Sequence, residues 1–226
     1  TITHWINDGL MTIFFLLIGL ELEREIYIGE LSEIKSASLP AIAALGRMLV
    51  PAALFLWLNS NTNTQNGAGI PMATDIAFAI GILSLLGNKV PVSLKVFLTA
   101  LAVIDDLGAI LVIAIFYTKT ISISYLCYAL ALFIIMLIMN RLKVYKLLPY
   151  LILGILMWYC MLHSGVHATI TGVLLAFAIP FEDGNEKSIS YQLQHTLHKP
   201  VAFVILPIFA LANTAIVLTN NTNVPL

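Results

Sequence analysis

An all-α, polytopic membrane fold follows from three features of the sequence. Of 226 residues, 60% are hydrophobic and 10% charged, whereas an ordinary soluble domain carries about 25% charge. The apolar residues fall in long runs bounded by polar turns, most near the ~20 residues that a helix needs to cross the hydrocarbon. The short alternating segments of a transmembrane barrel are absent.

A single transmembrane domain over 1–226 with about eight spans is expected, at roughly 9–27, 37–58, 70–87, 91–118, 122–140, 147–162, 164–181 and 200–219. The first two are mostly apolar, and the second is followed by the polar, uncharged NSNTNTQNGAG (59–69). The third is short and interrupted by Pro71, Thr74, Asp75, Gly81 and Ser84, with Gly67 and Gly69 before it. Such a segment points to a discontinuous helix near Thr74–Asp75. The fourth is long and holds the adjacent Asp105–Asp106. The fifth, seventh and eighth are mostly apolar, and the sixth is short. A charged connection, EDGNEKSISYQLQHTLHK (182–199), precedes the eighth. No soluble domain is expected.

Lys and Arg set the orientation. Alternating the connections between two sides puts Arg24, Lys35, Lys89, Lys95, Arg141, Lys143, Lys146, Lys187 and Lys199 on one side and Lys119 alone on the other, with Arg47 inside a span. The basic side is expected to be cytoplasmic, with the first residues and 59–69 outside. The formal net charge of −1 argues for no particular partner, nucleic acid included. Cys127 and Cys160 lie in apolar runs and read as small core residues, neither a disulfide framework nor a metal site.

Once the other acidic residues are assigned to the ends of spans, Asp75, Asp105 and Asp106 are the carboxylates at membrane depth. A carboxylate there costs about 2.5–3.5 kcal/mol on insertion scales and must face the bundle interior or a wet cavity. Adjacent helix residues point ~100° apart, so Asp105 and Asp106 have two roles. Burial and mutual repulsion both penalise the doubly charged pair. Such a pair can exchange protons, and when deprotonated it offers hard oxygen ligands to a small cation. A site that holds either protons or a cation, but not both, is the minimal requirement for ion/proton exchange. The plainer alternative is a pair that only hydrogen-bonds neighbouring helices. At the broken segment, the Asp75 carboxylate can compensate helix-terminal N–H groups, and Thr74 offers oxygens to a nearby cation; the plainer alternative is a capped kink.

ATDIAFAIGILSLLG and VPVSLKVFLTALAVIDDLGAILVIAIFYT resemble the NhaA family of bacterial Na+/H+ antiporters. HWINDGLMTIFFLLIGLELERE, LHSGVHATITGVLLAFAIPF and LHKPVAFVILPIFALANTAI are similar to further family segments in the same order. Inverted repeats with broken helices are a known property of that family, not something read from these residues. The resemblance implies an electrogenic, pH-activated antiporter of the bacterial inner membrane, a homodimer at full length. It would export Na+ or Li+ against external H+ by alternating access, with no cofactor. Asp106 would be the principal cation ligand. Asp105 would join the proton exchange and pair with a membrane-embedded Lys, and Thr74 and Asp75 would support the helix crossing. Glu21, Arg24 and Glu25 match a region tied to pH response, with Glu23 where a basic residue is expected; a solvated interfacial face is the alternative. His167 in SGVHAT matches a histidine linked to pH response, and a hydrogen-bonding His at a helix end is the alternative. His163, His195 and His198 read as interface residues without an assigned role.

The chain opens at Thr1 without Met and stops just after an apolar run, so a piece of a longer protein is expected. The resemblance implies one further span before it and several after it, including a second broken helix and the Lys partner of Asp105. Two rival readings remain. An intramembrane aspartyl protease would pair Asp75 with Asp105 around one shared proton, but the GxGD context expected of that class is missing. The other rival is a proton channel or a non-transporting membrane fragment.

Overall fold

The structure, a computed structural model, describes residues 5–32, 34–60, 62, 122–182 and 187–214, with isolated positions 91, 94, 97, 98, 101, 104 and 108. All regular structure among these residues is helical. In chain order the helices are α1 (Met11–Tyr27), α2 (Ile34–Leu58), α3 (Ile123–Arg141), α4 (Leu147–Ser164), α5 (Ile170–Ala178), α6 (Ile189–Pro200) and α7 (Leu206–Thr214). A π-helical turn, Trp5–Leu10, leads into α1, and a second, Val201–Ile205, joins α6 to α7. Five stretches among the described residues are long and apolar enough to cross a membrane: Trp5–Tyr27, Ser38–Leu58, Ile123–Arg141, Leu147–Ser164 and Ile189–Asn213. At 1.5 Å per residue, the 23 residues of Trp5–Tyr27 reach about 34 Å, more than the ~30 Å hydrocarbon core.

Large apolar side chains face outward around these helices. Trp57 is 75% exposed, Ile123 73%, Phe203 79% and Leu211 73%. A water-soluble chain would not carry such a surface, but a bilayer covers it.

Close backbone approach organises the interior. A Cβ on Gly19 would stand 2.7 Å from Ala176 Cβ and 3.0 Å from Val173 Cα. A Cβ on Gly172 would collide with the Thr12 carbonyl oxygen and stand 2.7 Å from Leu16 N. Glycine at both positions therefore lets α1 and α5 run side by side in the same direction, the small-residue packing that substitutes for a hydrophobic drive inside lipid. Leu16 and Leu20 of α1, Ala129 and Met136 of α3, Tyr150, Met157 and Met161 of α4, and Leu175, Ala176 and Ala178 of α5 are buried in one cluster. A second cluster joins Leu17 of α1 to Val201 and Ile205 of the π turn.

α3 and α4 form a hairpin. Its tight turn has Lys143 at φ 58°, and at the far end Ser122 N donates to Ser164 O at 2.8 Å. α4 stops because Gly165 adopts φ 85°, the left-handed conformation that glycine enters without a Cβ penalty. Asn140 Nδ2 donates to Ala178 O at 3.1 Å, so α3 satisfies a carbonyl at the end of α5. The π turn before α1 is held at two places: the Trp5 and Trp158 rings lie 5.7 Å apart, which ties it to α4, and Asn7 and Asn213 exchange side-chain amide hydrogen bonds of 3.2 and 2.9 Å, which tie it to the end of α7.

The sequence expectation and the structure differ in two places. The stretch expected as a span at 164–181 holds a helix over only nine residues, Ile170–Ala178, because Gly165 ends α4 and the backbone turns extended at Ile179 before Pro180. The connection expected at 182–199 is helical from Ile189, because Ser188 caps the helix by accepting from Tyr191 N at 3.3 Å. From there α6, the π turn and α7 form one rod, and Pro200 does not break it. The expected span 70–87, and 91–118 apart from isolated positions, lie outside the described residues, so the other six of the eight expected spans fall wholly or partly on described residues, and five of those six overlap long apolar helices.

Candidate functional site

Thr74, Asp75, Asp105 and Asp106 lie outside the described residues. Three described positions border the aspartate pair in sequence. Leu101 is buried and Ile104 half-buried, and a Cβ on Gly108 would come 2.5 Å from Met48 Sδ and Cε of α2. Those three positions are spaced i, i+3 and i+7, one face of a helix. Gly108 therefore lies against α2 at Met48. Met48 and Ala44 of α2 are buried, and methionine can shift to accommodate its neighbour.

The acidic cluster occupies the last two turns of α1. Glu21, Arg24 and Glu25 are half-buried, and Glu23 is 3% exposed with Oε2 making no hydrogen bond among the described residues. Arg24 Cζ stands 4.8 Å from the centroid of the Tyr191 ring in α6, within cation–π range. A cleft of about 350 Å³ opens beside this contact, lined by Arg24, Tyr191, Gln194, His195, His198 and Lys199. The α6 members are spaced i, i+3, i+4, i+7 and i+8, so they share one helix face. His195 and His198, without a role from sequence, therefore join Arg24. The signal was available in that spacing, but only the fold brings α1 opposite it.

His167 lies in the turn between α4 and α5. Its carbonyl accepts from Ile170 N at 3.2 Å, and its buried Nε2 has no hydrogen-bond partner among the described residues. His167 and the Glu21–Glu25 cluster are not brought together. α5 enters beside Thr12 and Leu16 of α1, and Arg24 is two turns further along, about 12 Å at 1.5 Å per residue. Among the described residues no three His, Cys, Asp or Glu side chains form a metal-holding group.

Taken together, the lipid-facing apolar surface, the five long apolar helices and the polar ends define a multi-pass helical membrane protein. The model of the family described as Na+/H+ antiporter 1 matches residues 1–225, and the chain belongs to that family. It is 72% identical over 226 residues to the Na+/H+ antiporter NhaA 1 of Flavobacterium johnsoniae, covering 100% of this chain and 59% of that relative. It is 72% identical over 221 residues to the Na+/H+ antiporter NhaA of Flavobacterium psychrophilum, with 98% of this chain and 58% of the relative covered. With NhaA of Dechloromonas aromatica the identity is 64% over 221 residues, 96% of this chain and 57% of the relative. The chain thus spans a little under three-fifths of the length of these curated relatives.

Proposed function

We propose that this chain carries the cation- and proton-binding part of an electrogenic Na+ (or Li+)/H+ antiporter of the bacterial inner membrane. The observation that carries the reading is the family match over residues 1–225, which includes the segment holding Asp105 and Asp106. Relatives that match this closely are named as Na+/H+ antiporters, transporters and not enzymes. In this reading Asp106 is the principal cation ligand and Asp105 shares the proton exchange. Each ion leaves as the other binds, because two charges at depth are stabilised by a cation or by protons. Thr74 and Asp75 support a broken helix beside the site. Alternating access then delivers the site to either side of the membrane. Glu21, Arg24, Glu25 and His167 set the response to pH, and the full-length protein works as a homodimer in Na+ and pH homeostasis.

The test uses the full-length antiporter in everted vesicles. Na+ or Li+ collapses a respiration-driven pH gradient, and Asp106→Asn abolishes that response. The absence of any cation-dependent change between about pH 6.5 and 8.5 would sink the reading.

A further inference from the structure

We propose that the cleft between α1 and α6 is a binding site for a phosphate-bearing anion. Its lining among the described residues is Arg24, Tyr191, Gln194, His195, His198 and Lys199, with no carboxylate. Two of these are permanent cations, and all six carry hydrogen-bond donors. Arg24 presents a planar fork suited to two phosphate oxygens. The Tyr191 ring, 4.8 Å away, holds that guanidinium by its face, which leaves its N–H edge to bind. The cleft, about 350 Å³, has room for a phosphate group with part of its hydration shell.

The position agrees with this chemistry. Lys199 and Pro200 end the polar stretch, and the apolar VAFVILPIFAL follows at once. The cleft therefore lies at the polar boundary of the rod Ile189–Asn213, at the Lys/Arg-rich end, where the phosphates of an anionic leaflet sit. Opposing charge comes from Glu21 and Glu25, one turn before and one residue after Arg24 on α1. They weaken the site without lining it. A lipid headgroup and free phosphate offer the same chemistry, and two arms of one experiment separate them.

In the first arm, inorganic phosphate is titrated into the chain in an uncharged detergent at one fixed pH, and phosphorus resonance broadening is followed. Saturable binding is expected. Arg24→Gln and Lys199→Gln each weaken it about tenfold, the effect of one charge-assisted hydrogen bond. Glu21→Gln tightens it, and Lys146→Gln, away from the cleft, leaves it unchanged. In the second arm, native mass spectrometry compares retained phosphatidylglycerol with phosphatidylcholine. A phosphatidylglycerol preference lost in the same two variants assigns a lipid headgroup; a response to phosphate alone assigns the free anion. Equal behaviour of wild type, Arg24→Gln and Lys199→Gln in both arms overturns the proposal. Should those variants not fold, the unmodified chain decides. Phosphate is expected to slow carbethoxylation of His195 and His198, and an unchanged rate also overturns the site. Neither readout involves transport, so failure here leaves the antiport reading untouched.

Discussion

Single side chains set the packing limits of this fold. Gly172 faces the α1 backbone with no room for a Cβ, whereas a Cβ on Gly46 meets nothing within 4 Å among the described residues. Gly172→Val is therefore expected to cost the ~1–3 kcal/mol typical of overpacking and so to lower the thermal unfolding midpoint in detergent, while Gly46→Ala leaves it unchanged or slightly raised. Equal midpoints for the two variants would contradict the close α1–α5 approach. Glu23 makes a different prediction. Its buried Oε2 lacks a hydrogen-bond partner among the described residues, and an unsatisfied buried polar group costs about 1–3 kcal/mol. Glu23→Met should raise the midpoint, and a clear fall would mean that the carboxylate is held by a partner that the described residues do not supply. Of the expected site residues, Glu21, Arg24 and Glu25 are legible as a group through the resemblance of their segment to the family, and their i, i+3 and i+4 spacing keeps them on one helix face. The grouping of Arg24 with His195, His198 and Lys199 is not, since it depends on two helices far apart in the chain meeting at one end.

At the level of elements, apolar run length identifies α1 to α4 well, because a membrane span is defined by its length and hydrophobicity. The same criterion misplaces the start of the last rod. Polarity assigns 182–199 to a connection, yet Leu193, Leu197, Val201 and Ile205 recur every four residues and are packed on or within the interior. That spacing marks an amphipathic helical start that continues into the apolar part. Ser188 is the residue that begins it. Ser188→Ala should cost about 1 kcal/mol and speed amide hydrogen exchange at Tyr191 and Gln192. Unchanged exchange there would show that the cap contributes nothing. The α4–α5 junction is hidden from run length for the opposite reason: Gly165 enters the left-handed conformation inside a stretch that is otherwise apolar.

Among the described residues, an apolar exterior surrounds helices packed through small residues, and polar groups gather at the helix ends; the proposed exchange chemistry belongs to the carboxylates of residues 75, 105 and 106. The family match over 1–225 covers the segment that holds the adjacent aspartates. Their proposed role is competitive: one site holds a cation or protons, and not both. Equilibrium binding of radioactive Na+ to the full-length antiporter at a series of pH values tests this most directly. Competition predicts that Na+ affinity falls up to about tenfold for each pH unit of acidification once a single proton competes, and that Asp106→Asn removes the binding. Na+ binding of the same affinity at every pH, or binding that survives Asp106→Asn unchanged, would contradict it.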